Sequence, residues 1–120
     1  MAQTYAIVTA MHLSLHHHPH VSVVAVEGNL DGHNVTDLTD LLSMVPLGQP
    51  LIVDLLSVGS LDEAAAAAMY DEFFDRTPHA EVAVVVDDLD VRMRLVLGDV
   101  DRCCRLVPGA AAASIAEGGV

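Results

Sequence analysis

The chain has no lysine and no tryptophan. Its permanently positive side chains are five arginines (Arg76, Arg92, Arg94, Arg102 and Arg105), all in the second half, set against 17 Asp and Glu residues for a formal net charge of −12. Such a balance repels phosphate backbones and anionic membranes, so neither nucleic acid nor a membrane is the expected partner. Aromatic residues are scarce at 3%, which leaves the core to aliphatic side chains; a 52% hydrophobic composition over 120 residues supplies enough of them for one domain, 1–120. Long hydrophobic runs are absent as well, none approaching the roughly 18 residues needed to span a bilayer. The opening "MAQTYAIVTAMHLSL" lacks a Lys/Arg-rich lead and runs into histidines where a signal peptide would show a small-residue cleavage site, so a cytoplasmic location is expected. Cysteine is limited to the adjacent pair Cys103 and Cys104, which excludes a disulfide framework; thiols side by side in an apolar segment are more commonly small core residues than a redox or metal site.

Apolar runs rich in Val and Ile alternate with segments of helical period, the pattern of an α/β domain. "TYAIVTAMHL" and "VSVVAVEG" predict two strands joined by a hairpin-like connection, "SLHHHPH", with Pro19 as its breaker. In "NVTDLTDLLSMV", Val35, Leu38, Leu41, Leu42 and Val45 recur at helical spacing, with Asn34 as the expected N-cap, Asp37 and Asp40 outside, and Pro46 as the stop. "LIVDLLSV" predicts a central strand covered on both faces, and "EVAVVVDD" another of the same kind. "LDVRMRLVLGDV" predicts a helix capped near Asp88 or Asp90 and ended by Gly98, "RCCRLVPG" a short edge strand, and "AAAASIAEGG" a last, frayed helix.

The stretch "SLDEAAAAAMYDEFF" stands apart. Asp62 is placed to cap a helix at its positive dipole end. At 3.6 residues per turn, Ala66, Met69, Tyr70, Phe73 and Phe74 are expected on the core side, with Ala64 and Ala68 opposite, followed by Asp71, Glu72 and Asp75. An outer helix face normally carries charge along its whole length, whereas this one begins with methyl groups. Alanine is simply the best helix former in one reading; in the other, small side chains leave room for a partner's backbone to come close.

Other groups carry less. His16, His18 and His20, with His12 and His17 nearby, could offer imidazoles to Zn²⁺ or Ni²⁺ if they converged, but no helical i, i+4 pair and no Cys or carboxylate stands beside them at ligand spacing; a solvated turn that charges below neutral pH is the plainer account, and no cofactor or specific metal is expected. The acid pairs Asp54 and Asp62, and Asp87 and Asp88, have no catalytic triad, phosphate loop or ligand cluster around them, and turn and cap hydrogen bonds account for them without an enzyme.

Three segments together resemble the STAS domain, and within it the bacterial single-domain anti-sigma factor antagonists (anti-anti-sigma factors). "VVAVEGNLDGHNVTDLTDLL" is similar to the family's second strand, its Gly-x-Leu-Asp turn (Gly28, Leu30, Asp31) and first helix. "LIVDLLSVGSLDEAAAAAM" is similar to the central strand and the start of the second helix, and "VRMRLVLGDVDRCCRLVP" to the third helix, the Asp101–Arg102 pair and the last strand. The resemblance covers about 21–116. It implies an α/β, STAS-like fold: a small mixed β-sheet of four to five strands with about four helices packed mainly on one side, and no enzymatic activity. It also implies binding to a kinase-like anti-sigma factor, switched off by phosphorylation of a serine at the start of the second helix. The family's Asp-Ser-Ser-Gly reads here Asp62-Glu63-Ala64-Ala65, so Ala64 stands at the phosphoacceptor position without a hydroxyl. The partner-facing residues it implies are Asp31, Asp62, Glu63, Ala64, Ala65, Ala68 and Asp71. The alternatives are a STAS module sensing a nucleotide or lipid-like ligand, and a non-phosphorylatable decoy.

Overall fold

The computed structural model describes residues 11–110. In chain order they form β1 (His12–His17), β2 (Ser22–Leu30), α1 (Val35–Leu42), β3 (Leu51–Leu61), α2 (Glu63–Arg76), β4 (Val82–Val85), α3 (Leu89–Leu97), a 3-10 turn (Val100–Arg102) and β5 (Arg105–Val107). The five strands lie in the order β1-β2-β3-β4-β5; β1 runs antiparallel to β2, and the other neighbours are parallel. From β2 onward each crossover steps to the next strand in the same direction, and because crossovers are almost always right-handed, such stepping delivers every helix to one face of the sheet. Burial agrees with this: Leu38 and Leu42 of α1, Ala66, Met69 and Phe73 of α2, and Val91 and Leu95 of α3 share one core with Val24, Val26, Leu51, Val53 and Val84. A smaller cluster of Val21, Ile52, Ala83, Val85 and Val107 occupies the opposite face, which is why β4 and the start of β3 read as apolar runs; the cover expected on both faces of "LIVDLLSV" ends there, since Leu56 is 44% exposed. The sheet is mixed and α/β, as expected.

Several expectations shift in detail. Three α-helices stand among the described residues where about four were expected; the helix expected in "AAAASIAEGG" lies outside them, apart from Ala110, as does most of the first strand expected over "TYAIVTAMHL". The described part of that strand runs on through His16 and His17, paired with Val23 and Ser22, because Leu13 and Leu15 keep the inward alternation going. The turn is therefore confined to residues 18–21, where the His18 N–H donates to the Val21 carbonyl at 2.9 Å. Asn34 precedes α1 but makes no side-chain cap to it. In α2, Phe74 was expected in the core and is 59% exposed, while Tyr70 is only partly buried. Phe73 and Phe74 are one residue, about 100°, apart on the helix, so only one of them can face inward. The buried stripe is Ala65, Ala66, Met69, Phe73 and Arg76.

Candidate docking site at the start of α2

Strands β2 and β3 run side by side until Leu30 pairs with Leu61, and both chains then turn at the same edge of the sheet. Gly28, at φ 108°, supplies the left-handed conformation that lets β2 break register just before this point. The turn after β2 is knitted by Asp31: its Oδ1 accepts from the backbone N–H groups of His33 (2.8 Å) and Asn34 (2.9 Å), its carbonyl accepts from Val35 N–H (3.0 Å), and its own N–H donates to Asn34 Oδ1 (2.9 Å). Asp31 thus closes the turn that Asn34 was expected to cap. The Asn34 and His33 N–H groups stabilise the ionised carboxylate, which holds Asp31 below its ordinary pKa.

The turn after β3 is organised by Asp62. Its Oδ1 caps α2 by accepting from Ala65 N–H at 2.8 Å, and its Oδ2 accepts from Gly32 N–H at 3.3 Å. Its own N–H donates to the Leu30 carbonyl at 3.1 Å. One side chain therefore starts the helix and ties the preceding loop to it. The contact between the two is close: a Cβ at Gly32 would stand 2.9 Å from the Ala64 Cβ, so the loop can lie against the helix only because residue 32 has no side chain.

This arrangement brings together Asp31, Asp62, Glu63 and Ala64 at the surface, with Asp71 exposed two turns further along the face that Ala64 begins. Ala68 is half-buried against the core. Ala65, expected to face a partner, is a correction: its methyl group is fully buried, because the helix turns residues 65, 69, 73 and 76 toward the sheet and α1. Glu72, expected on the outer face, instead bonds Arg76 Nε at 3.0 Å.

α3 forms the other wall, which the residue pattern had not singled out. Its start is capped by Asp88, whose Oδ1 accepts from the N–H groups of Asp90 (2.9 Å) and Val91 (3.0 Å). Val91 and Leu95 face the core, while Leu89, Met93 and Leu97, each four residues from the next, are 79%, 57% and 69% exposed. A second apolar stripe at i, i+4 spacing was the available signal. Between α3 and the β3–α2 turn lies an open cleft of about 640 Å³ lined by Ser60, Asp62, Asp90, Met93, Arg94 and Leu97 among others. A smaller cleft of about 260 Å³ continues it between Glu63, Ala67, Leu97 and Gly98.

The remaining candidates do not converge. Among the described residues no three His, Cys, Asp or Glu side chains come together as a metal-holding group; His17 Nδ1 instead pairs with Ser22 Oγ at 2.8 Å. Asp54 and Asp87 accept from the N–H groups of Leu56 (2.9 Å) and Gly109 (3.0 Å). Cys103 is buried, and the half-buried Cys104, whose Sγ approaches the Val100 carbonyl at 3.2 Å, has its thiol pushed up to about 12 by burial and by its neighbours Cys103 and Asp101. No helix among the described residues is long and apolar enough to cross a membrane.

An anti-sigma factor antagonist from Mycobacterium paratuberculosis superposes with a TM-score of 0.77 over 91% of this chain and 96% of its own, at 21% identity. The fold is that of the anti-sigma factor antagonists. A Thermotoga maritima protein provisionally assigned to the same class matches with a TM-score of 0.71 over 88% of this chain and 94% of its own, at 14% identity. The antagonist SpoIIAA in its unphosphorylated form matches with a TM-score of 0.64 over 91% and 99%, also at 14% identity. The STAS-like architecture implied by the residues is thus present in three dimensions. No family model and no curated protein matches the sequence.

Proposed function

We propose that this protein is a non-enzymatic regulator that binds a kinase-like anti-sigma factor in the cytoplasm through the start of α2, and that it does so without a phosphorylation switch at Ala64. The observation that carries the reading is the exposed Ala64 methyl group in the first turn of a helix capped by Asp62 and braced by the Asp31 turn, on the fold of anti-sigma factor antagonists. A methyl group lets a partner's backbone approach, and the residues on either side, Glu63 and Ala65, offer no hydroxyl for phosphoryl transfer. Constitutive binding and a decoy role both follow from this chemistry; they differ only in whether the sigma factor is set free. A sensor of a nucleotide is less well supported, because the parallel strands follow one another without the reversal of order that opens a ligand crevice in doubly wound sheets.

The test is binding of wild type, Ala64→Asp and Ala64→Ser to the kinase-like anti-sigma factors encoded in the same genome, with thermal unfolding of each variant. A carboxylate near a helix N-terminus is tolerated or favoured by a few tenths of a kcal/mol, so Ala64→Asp folds. In a complex the same group is desolvated without a counter-charge, at a cost of several kcal/mol, which is about a hundredfold or more in affinity. Ala64→Ser keeps its affinity and, with ATP, gains phosphate detectable by peptide mass mapping; wild type gains none on this helix. A folded Ala64→Asp that binds as tightly as wild type removes the helix start from the interface.

A further inference from the structure

Beyond the helix start, we propose that the groove between α2 and α3 receives a basic amphipathic helix of a protein partner. The inference rests on the docking reading above for its place in the molecule, since Asp62 and Glu63 belong to both. Its own grounds are on α3. A helix that must only cover a sheet needs one apolar stripe; α3 has that stripe in Val91 and Leu95 and carries a second, Leu89, Met93 and Leu97, pointing to solvent. Met93 and Leu97 of the exposed stripe line the cleft of about 640 Å³, and Leu97 also lines the one of about 260 Å³ that continues it along α3. From Leu89 to Leu97 it is about 12 Å long, two turns of a helix lying alongside.

Charge selects the occupant. Asp62, Glu63 and Asp90 line the groove, with Arg94 as its one cation; Arg94 forms no ion pair among the described residues. A second copy of this chain would bring the same acidic rim and a further formal charge of −12, so self-association through this face is disfavoured. A helix with Leu or Met side chains at i, i+3, i+4 and i+7 and Lys or Arg at its flanks satisfies both the apolar floor and the acidic rim.

The test uses a synthetic 14-residue peptide of Leu and Lys in amphipathic helical order, a scrambled peptide of the same composition, and the isotope-labelled protein followed by NMR. The ordered peptide is expected to shift the backbone signals of Ala67, Met93, Leu97 and Gly98 first, and to bind at least tenfold more tightly than the scrambled one. Leu97→Ser, at an exposed position, should weaken it at least fivefold, whereas Leu47→Ser, another exposed leucine away from the groove, should not. Equal binding of the two peptides, shifts spread over the acidic surface, or an unaffected Leu97→Ser overturns the proposal, as does concentration-dependent dimerisation abolished by Leu97→Ser. The peptide contains no kinase and the measurement involves no anti-sigma factor, so its failure leaves the Ala64 experiment intact, and the converse holds.

Discussion

At its C-terminal end α2 is held by large groups. Phe73 is fully buried, and Arg76, 2% exposed, donates Nη2 to the carbonyl oxygens of Leu42 and Val45 (2.8 Å to the latter) and Nε to Glu72, tying the last turn of α2 to the end of α1. Thr77 Oγ1 adds bonds to the carbonyls of Phe73 and Cys103. At its N-terminal end the same helix is held by one carboxylate and a few methyl groups. Anchoring is thus concentrated at one end of the helix. The rear fixes α2 on the sheet, and the front, held by smaller groups, is the part proposed to meet a partner.

That contrast is most easily broken at the rear. Phe73→Ala removes a side chain packed on every face and is expected to cost about 3–5 kcal/mol, a large share of the roughly 5–15 kcal/mol that holds such a domain together. Urea unfolding followed by circular dichroism measures it. A loss below about 1 kcal/mol would mean that the rear is no more an anchor than the front. Arg76→Met, which keeps the volume and removes the charge, leaves two buried carbonyls and Glu72 without their donor. The expected cost is about 2–3 kcal/mol. Hydrogen exchange should quicken in the last turn of α1, where those carbonyls lie, before it does in α3.

Sequence and structure agree where local chemistry decides and part where neighbours in space decide. Asp62 was legible as a cap, and Asp88 as one of two candidates beside Asp90, because a carboxylate directly ahead of a helical run has one obvious use; Asp62 and Asp88 make those bonds. β4 and the first part of β3 were legible from apolar runs interrupted only by Asp54, whereas the strand runs on to Leu61 and Leu56, expected to be covered, is exposed. The family pattern places Ala65 outward, although its four-residue spacing from Met69 and eight-residue spacing from Phe73 already point it inward, where it lies. Arg76 carries no reading in the sequence beyond its charge, and its inward turn depends on carbonyls more than 30 residues earlier in the chain. The second wall of the site was hidden for the same reason, because α3 meets the β3–α2 turn only in the folded chain.

At the front the effects are smaller. Asp62→Ala removes the Ala65 cap and the Gly32 tie together and is expected to cost about 1–2 kcal/mol. Asp62→Asn, which keeps an acceptor oxygen, should cost a few tenths of that range. Thermal unfolding of the pair separates the cap from the charge. If Asp62→Ala matches wild type, the helix start is braced by something other than this carboxylate, and its contrast with the rear no longer rests on a single side chain.

The smallest effect tests how tightly the loop after β2 lies against the helix. A Cβ added at Gly32 would meet the Ala64 Cβ at 2.9 Å, and neither atom is the end of a flexible chain that could swing aside. Gly32→Ala therefore has to move the loop or the helix start. Overpacking of this kind costs about 1 kcal/mol, offset in part by the lower entropy that alanine gives the unfolded chain. Ala64→Gly taken alone removes a methyl from the first helical turn and loses up to about 1 kcal/mol of helix propensity. In the double variant the second change clears the space the first one needs. The sum of the single losses should then exceed the double loss by about 0.5 kcal/mol or more, the usual size of coupling between groups in contact. Strict additivity in urea titrations of the four proteins would mean that the loop and the helix start do not touch, and that Ala64 has more room around it than a close docking face requires.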